Sequence, residues 1–247
     1  HSYRRERLGV SNEQACKWFE RQLWETDGGK AVGLAYFRSR GFRDDIIHKF
    51  QLGYCPEGQD TMVKDALSKG YQKELLVEAG VAYAYEDGRL RDRFHGRVIF
   101  PIHSLSGKVI AFSGRIMKSD AKVAKYVNSP ESPVYTKSNE LYGIWLAKST
   151  IVKQDKCFLV EGNTDVVSMH QTGIENVVAS CGTSLTTGQI RKIHRFTSNI
   201  TVLYDGDSAG IHASLRGIDM LLEEGMNVKV VLLPNGEDPD SFARAHS

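Results

Sequence analysis

Acidic residues follow each of three short apolar runs in the second half of the sequence. The runs cover residues 157–160, 199–204 and 228–233. The acidic residues after them are Glu161, Asp165, Asp205, Asp207, Asp238 and Asp240. Apolar runs of this length are typical of strands buried on both faces of a parallel sheet. Because the carboxyl ends of parallel strands lie at one edge of a sheet, we expect these carboxylates to meet there.

The chemistry that this pattern favours is the binding of a hard divalent cation. Mg²⁺ prefers oxygen ligands and keeps several waters, so a few carboxylates together with substrate phosphates hold it. One glycine separates Asp205 from Asp207, which places both side chains on one side of an extended chain and leaves space for a phosphate. A single acid such as Asp207 or Asp238 could instead cap a helix. Three acidic sets at successive strand ends favour a metal site.

The elements that must position these residues divide the chain into two regions. Residues 1–138 combine helical patterns with a predicted hairpin over 97–103 and 109–113, and residues 139–247 contain the apolar runs, the first two of which precede helical patterns. We therefore predict an α/β fold. It consists of a basic α+β N-terminal subdomain (1–138) and a second subdomain (139–247) with a mainly parallel sheet flanked by helices.

Local signals in the first region predict where its elements begin and end. Ser11 or Asn12 can cap a helix that carries Trp18 and Phe19 at helical spacing. We expect the glycine pair in residues 27–29 to break the chain and residues 52–56 to form a turn.

Charge is divided unevenly along the chain. Residues 157–247 contain 6 Lys/Arg and 11 Asp/Glu, whereas the preceding 156 residues contain 26 and 19, which leaves the whole at +2. Residues 89–137 alone carry 10 basic and 3 acidic residues. An acidic region able to hold cations and a basic region able to hold phosphates suit a nucleotide or nucleic-acid partner.

Several classes of protein are disfavoured by the same sequence. The four cysteines are far apart and form no C-x-x-C pair, so neither a zinc site nor a disulfide framework is indicated. The sequence has no run of 18 apolar residues and no signal-peptide core, so we expect a cytoplasmic protein without a membrane span. Its start at His1 and its end within a helical pattern indicate a piece of something longer.

The acidic motifs resemble those of a known domain. Three of them are similar to the signatures of the Toprim domain: Glu161-Gly-x-x-Asp165, Asp205-Gly-Asp207-x-Ala-Gly210 and Glu237-Asp238-Pro-Asp240. Bacterial primases, topoisomerases and some nucleases share this domain, and the acidic pattern alone does not choose among them.

Sequence motifs in the basic region distinguish among these three classes of protein. These motifs resemble the catalytic core of bacterial DnaG-type primases: Gly-Phe-x-x-x-x-Ile-x-x-Phe-x-Leu-Gly-Tyr at 41–54, Arg-x-Arg-Phe-x-x-Arg-Val-x-Phe-Pro-Ile at 91–102, Phe-x-Gly-Arg at 112–115, Lys-Tyr-x-Asn-Ser-Pro-Glu at 125–131 and Lys-x-x-x-Leu-Tyr-Gly at 137–143. The resemblance runs from about residue 30 to the end, and its motifs occur in order.

This resemblance implies synthesis of short RNA primers on single-stranded DNA from ribonucleoside triphosphates. It implies two or more Mg²⁺ or Mn²⁺ ions and no zinc in this part of the protein. The implied catalytic residues are Glu161, Asp205 and Asp207. The implied metal ligands are Glu161, Asp165, Asp205, Asp207, Asp238 and Asp240. The implied nucleotide- or nucleic-acid-binding residues are Arg91, Arg93, Arg97, Arg115, Lys125, Tyr126, Asn128 and Lys137.

The implied partners follow from the same family. They are the single-stranded DNA template, NTPs, the RNA/DNA hybrid product and a replicative helicase. The helicase is expected to bind through a C-terminal region that lies outside this sequence. The family's N-terminal zinc domain and the helical bundle that follows the Toprim domain are also expected to lie outside it. We expect this part of the protein to be monomeric.

Three other functions stay open from the sequence. A Toprim nuclease would use the same ions to cut DNA, and a topoisomerase would need a strand-cleaving tyrosine in another domain. A nucleotide-sensing module would bind nucleotides without turning them over.

Overall fold

A computed structural model of the chain describes residues 2–118, 122–182, 184–204 and 208–234, together with residues 237, 239 and 241. Its contacts divide the chain into two compact units. The first contains residues 1–102 and 108–136, and the second contains residues 103–107 and 137–247. The subdomain boundary expected between residues 138 and 139 stays a prediction. Among the described residues, no helix combines the length and the apolar character that crossing a membrane requires.

The first unit combines helices with antiparallel strands. Its helices are α1 (Ser2–Glu25), α2 (Ala35–Ser39), α3 (Asp44–Lys49), α4 (Thr61–Ser68) and α5 (Lys73–Glu78), with a π-helix at Gly29–Leu34. Its strands are β1 (Gly53–Cys55), β2 (Ala82–Ala84), β3 (Leu90–Asp92), β4 (Arg97–His103), β5 (Val109–Ile116) and β6 (Tyr126–Asn128). One sheet has the order β1-β4-β5-β6, and β2 pairs with β3.

Aromatic packing joins α1 to this sheet. The ring of Phe19 meets the rings of Phe112 and Phe94 edge to face, at centroid distances of 5.2 and 6.3 Å. All three side chains are buried. Edge-to-face pairs of this kind add about 0.5–1.5 kcal/mol beyond the area that they bury.

The second unit is built on a parallel sheet. Its strands are β7 (Cys157–Val160), β8 (Val177–Ala179), β9 (Asn199–Tyr204) and β10 (Asn227–Leu232), in the order β10-β9-β7-β8. Each neighbouring pair in this order is parallel. Its α-helices are α6 (Ile144–Gln154), α7 (Asn163–Gln171), α8 (Thr187–His194) and α9 (Ser208–Glu223). The predicted α/β fold with a mainly parallel sheet is therefore confirmed.

Two local predictions at the N-terminal end are wrong. Ser11 and Asn12 do not begin a helix, because α1 starts at Ser2 and both residues lie buried on its inner face. Residues 27–29 do not break the chain, since the helical path resumes at once after a bend at Thr26. The Thr26 hydroxyl donates to the carbonyl of Gln22 and accepts the amide of Gly29, which carries the backbone across the bend.

Two strands also differ from expectation. The turn expected at 52–56 contains β1, which pairs antiparallel with β4. The run at 228–233 was expected to be buried, but β10 lies at the edge of the sheet order. Val230 and Leu232 on it are 41% and 56% exposed.

Candidate functional site

The carboxyl ends of three parallel strands meet at one edge of the second unit. Leu159 of β7 lies opposite Val202 of β9, and Tyr204 of β9 lies opposite Leu232 of β10. The carboxyl ends of β7, β9 and β10 therefore lie side by side at this edge. Of the predicted acidic residues, Asp205, Asp207, Asp238 and Asp240 lie outside the described residues.

Glu161 lies directly after β7 and is exposed at this edge. Burial raises the pKa of Tyr204 to about 12, and the negative charge of Glu161 contributes to the rise. The carboxylate of Glu161 is therefore close enough to the end of β9 to act on its last side chain. An exposed carboxylate in this place can accept a cation.

Asp165 lies in the first turn of α7 and is half-buried. A Cβ atom built on Gly162 would lie 2.9 Å from Oδ2 of Asp165, so the carboxylate folds back over the start of the helix. The partial positive charge of a helix N-terminus stabilises an acid there. Glu161 and Asp165 thus flank Gly162 at the carboxyl edge.

Lys137 is brought to the same edge by the segment that follows it. Tyr142 and Ala179 exchange backbone hydrogen bonds of 2.8 and 3.1 Å, which adds the Tyr142 segment antiparallel to β8. In an antiparallel bridge, the residues before Tyr142 extend beyond the carboxyl end of β8. Lys137 is near enough to that end to lower the pKa of Cys181, which burial raises to about 12.

The backbone conformation and close packing at Gly143 account for the glycine at the end of the Leu-Tyr-Gly motif. Its φ is +85°, in the left-handed region, and it directly precedes α6. A Cβ there would lie 2.7 Å from Cγ1 of Val166 on α7. The motif therefore fixes how the chain passes from the bridge between Tyr142 and β8 into α6, and with it the placement of Lys137.

In the first unit, Arg93 and Asn128 are brought together. The guanidinium of Arg93 donates from Nε and Nη2 to the backbone carbonyl of Asn128, at 3.1 and 2.9 Å, and it lies 4.8 Å from the ring centroid of Tyr83. Nη2 of Arg91 lies 2.8 Å from Nε2 of His95. Burial lowers the pKa of His95, and the charge of Arg91 lowers it further.

Arg97 does not lie on an open basic surface, and this part of the prediction is corrected. The residue is 4% exposed, and burial lowers its pKa. Nη1 donates to the carbonyls of Gly114 (3.1 Å) and Lys125 (3.0 Å), and Nη2 donates to the carbonyl of Ala124 (3.0 Å). A buried guanidinium must satisfy its donors within the protein, and here backbone carbonyls do so.

The remaining predicted residues lie along the pair β5–β6. Arg115 lies directly opposite Tyr126 in the register, and its guanidinium is 4.7 Å from the ring centroid of Tyr36. The side chains of Lys125 and Tyr126 are exposed. The first unit thus gathers all the predicted basic residues except Arg91 and Lys137 around β6.

Asp92 was missed from the sequence. It lies between two predicted arginines, is fully buried, and accepts the amides of Met62 (to Oδ2) and Val63 (to Oδ1), both at 2.9 Å. These amides begin α4, so Asp92 caps that helix from a distant strand. Burial raises its pKa to about 6, although the two hydrogen bonds oppose the rise. An acid in a short strand between basic residues gave no local signal of this role.

Gln189 was also missed. It is fully buried at the start of α8, where it forms a capping box with Thr186. The sequence did offer a signal, because Thr186-x-x-Gln189 has the spacing of a capping box.

Comparison with known proteins gives the class of each unit and then the family. The second unit combines a parallel sheet with acidic residues after its strands, and a family model described as Toprim-like matches residues 158–243. A second model, described as the N-terminal domain of the DNA primase catalytic core, matches residues 18–148. The chain belongs to the DNA primase catalytic core family.

Individual relatives agree with this assignment. A DNA primase of Halalkalibacterium halodurans is 40% identical over 98% of this chain and 40% of its own length. A DNA primase domain from Pseudomonas aeruginosa superposes with a TM-score of 0.89 at 35% identity, over 96% of this chain and 74% of that one. A DnaG primase catalytic domain bound to ssDNA gives a TM-score of 0.88 at 32% identity, over 100% and 79%. The chain spans about 40% of the length of the primases that it matches.

Proposed function

We propose that this chain carries the RNA-polymerising core of a DNA primase and joins ribonucleoside triphosphates into short RNA primers on single-stranded DNA. The attacking group is the 3′ hydroxyl of the growing primer, the electrophile is an α-phosphate, and pyrophosphate leaves. The related primases and the solved catalytic domain bound to ssDNA support this assignment.

One observation carries the proposal. The second unit presents an exposed carboxylate, Glu161, and a cation, Lys137, beyond the carboxyl ends of the adjacent strands β7 and β8. Ligands of parallel α/β sheets bind at this edge. A triphosphate needs a positive partner for its oxygens and carboxylates that can hold its counter-ions, and this edge offers both.

The carboxylates at this edge fit Mg²⁺ or Mn²⁺. Glu161 is open to solvent, Asp165 is half-buried above the start of α7, and β9 ends immediately before the pair Asp205 and Asp207. Among the described residues alone, no cluster of three or more potential ligands occurs, so the proposed set also needs the undescribed acids. We assign as metal ligands Glu161, Asp165, Asp205, Asp207, Asp238 and Asp240. Two bound ions would activate the nucleophile and stabilise the leaving oxygen.

The protein's own residues supply position and charge. Phosphoryl transfer depends mainly on alignment and electrostatic stabilisation. Lys137 binds phosphate oxygens, and Glu161 acts either as a base for the primer hydroxyl or as an organiser of the acidic set. Together with Asp205 and Asp207, Glu161 forms the proposed catalytic set.

The basic residues of the first unit would bind nucleic acid or nucleotide phosphates. Arg91, Arg93, Arg115 and Lys125 supply positive charge, and Tyr126 and Asn128 lie on the same strand pair. Arg97 acts indirectly in this proposal. Its hydrogen bonds to the carbonyls of Ala124 and Lys125 hold the backbone from which the Lys125 side chain extends.

The finer expectations about partners and boundaries belong to the same proposal. NTPs, the DNA template and the RNA/DNA hybrid are the proposed ligands, and a replicative helicase is the proposed partner of the longer protein. The proposed subdomains are residues 1–138 and 139–247. A cytoplasmic location and a monomeric state also stay predictions.

Product analysis tests the proposal against the nuclease alternative. The chain is incubated with end-labelled single-stranded DNA, labelled ribonucleotides and Mg²⁺ or Mn²⁺. We expect short RNA products that require all four components and an intact template. Shortened template without RNA would contradict the proposal and support a nuclease, and nucleotide binding without any product would support a sensing module.

A further inference from the structure

The segment that carries Lys137 is attached to the first turn of α8 by several contacts. The Thr186 hydroxyl donates to the carbonyl of Ser138. A Cβ on Gly188 would clash with the side chain of Asn139 and displace it, so the glycine lets the two segments pack closely. Further along α8, Nζ of Lys192 lies 3.1 Å from Oε2 of Glu140, with both side chains less than one-sixth exposed.

Gln189 occupies the centre of these contacts. Its side-chain nitrogen Nε2 donates to the backbone carbonyls of Glu140 (2.9 Å) and Ser180 (3.2 Å). Its side-chain oxygen Oε1 accepts the backbone amide of Thr186 (3.1 Å). The residue is fully buried. A buried amide is tolerated only when its polar atoms are hydrogen-bonded, and here both donors and the acceptor have partners.

The two carbonyls that Gln189 joins belong to different loops of the second unit. Glu140 lies three residues after Lys137, and Ser180 is the first residue after β8 at the carboxyl edge. A single side chain thus connects the Lys137 segment directly to the loop that leaves this edge. Removing the amide would leave the partly buried carbonyls of Glu140 and Ser180 without these donors, which would loosen the connection between the two loops.

We propose that Gln189 is a positioning residue that fixes the backbone of residues 138–140 and thereby the place of Lys137 at the carboxyl edge. This inference rests on the proposed function, because it assumes that Lys137 acts on the triphosphate. Gln189 itself touches neither substrate nor metal. Its effect on the reaction passes through Lys137.

A double-mutant cycle tests this dependence. Gln189→Leu keeps the volume and removes the hydrogen bonds, and we expect it to lower kcat/KM for ribonucleotides about 10-fold or more, as small misplacements of a catalytic group do. In the Lys137→Ala background the same substitution should change kcat/KM less than about 2-fold, because coupled residues are not additive. Equal losses in both backgrounds would overturn the inference and leave Gln189 a general structural residue.

Two further variants keep the test decisive. Arg191→Met, two residues after Gln189 on the same helix, removes an exposed ion pair with Glu224 and should leave kcat/KM unchanged in both backgrounds. Thr186→Val removes the contact with Ser138 and the side-chain cap of α8. It should reproduce a smaller, equally Lys137-dependent loss if Gln189→Leu fails to fold. A Thr186→Val loss that is the same without Lys137 would contradict the inference.

Amide hydrogen exchange separates this inference from the proposed function. Gln189→Leu, or Thr186→Val in its place, should accelerate exchange in peptides covering 137–142 and 180–182 relative to Arg191→Met. Hydrogen exchange can be measured without primer synthesis. Inactivity of the parent chain would therefore refute the proposed function but would leave the positioning role of Gln189 open to this test. Unchanged exchange in these peptides would refute the positioning role, whatever reaction the chain performs.

Discussion

At the scale of single residues, Arg93 and Arg97 were both predicted to bind nucleotide or nucleic acid. They lie only four positions apart in the sequence, yet their environments differ. The guanidinium of Arg97 is buried and donates to three backbone carbonyls, whereas Arg93 is half-buried and stacks beside Tyr83. A motif therefore identifies a residue as important without saying whether it contacts a ligand or supports one that does. Burial distinguishes these roles, and burial depends on the fold.

Lys137 is the cation whose loss should affect the reaction most directly. We expect Lys137→Ala to lower kcat/KM for ribonucleotides about 10- to 100-fold, because a preorganised charge at a phosphate contributes a few kcal/mol. Lys153→Ala is the control, since Lys153 is an exposed lysine near the end of α6. Steady-state primer synthesis at varied NTP concentration measures both. Equal activities of the two variants would show that Lys137 takes no part in binding the triphosphate.

At the scale of elements, helix α4 depends on an acid in strand β3. Asp92→Ala removes the acceptors of two buried amides at the start of α4. We expect a loss of about 2–4 kcal/mol in the free energy of unfolding, measured with urea near neutral pH. Asp87→Ala, which removes an exposed acid beside Arg89, is the control and should leave the free energy of unfolding close to that of the parent chain. A small effect of Asp92→Ala would contradict the proposed cap.

The raised pKa of Asp92 also predicts a pH dependence. Burial raises this pKa from 3.8 to about 6, so the folded state holds a proton that the unfolded state has lost between these values. The contribution of Asp92 to stability is therefore fully present below pH 3.8 and falls as the pH rises towards 6, by up to about 3 kcal/mol. We expect the difference in the free energy of unfolding between the parent chain and Asp92→Asn, measured with urea at several pH values, to show this fall. His103, whose pKa burial lowers to about 4, titrates with the opposite sign in both proteins and cancels in the difference. A difference that does not vary with pH would contradict the raised pKa.

The sequence predicted the strands of both units unevenly. The runs at Cys157–Val160 and Asn199–Tyr204 were identified because several apolar residues follow one another. Strands β1 and β8 were missed because three residues are too few to establish a period. Their pairing partners, β4 and β7, stabilise them and come from distant parts of the chain. The shared edge followed from the expected parallel direction of the strands, whereas the roles of Asp92 and Gln189 required tertiary contacts.

At the scale of the whole molecule, charge is segregated along the chain. The basic excess falls in residues 1–156 and the acidic excess in residues 157–247. Nucleic-acid phosphates and divalent ions would therefore interact mainly with different parts of the same chain. The small net charge of +2 conceals this separation.

DNA binding should depend on salt through the basic residues of the first unit. If about four phosphates are neutralised, the logarithm of the affinity for single-stranded DNA should fall with the logarithm of salt concentration with a slope of about −3. Lys125→Ala should make this slope less negative by about 0.7, because one phosphate contact is lost. Fluorescence anisotropy between low and moderate salt measures both slopes. A Lys125→Ala slope equal to that of the parent would exclude Lys125 from the phosphate contacts.

If the carboxyl edge of the parallel sheet is the catalytic site, carboxylates at the two opposite edges of this sheet should differ in their effect on primer synthesis. Glu161 follows β7 at the carboxyl edge, and Glu175 precedes β8 at the opposite edge. Primer synthesis at saturating Mg²⁺ and NTP is measured for Glu161→Gln and Glu175→Gln. We predict that Glu161→Gln lowers the rate about 100-fold or more, as loss of a catalytic charge does, while Glu175→Gln keeps the parental rate. Full activity of Glu161→Gln would contradict the assignment of the site.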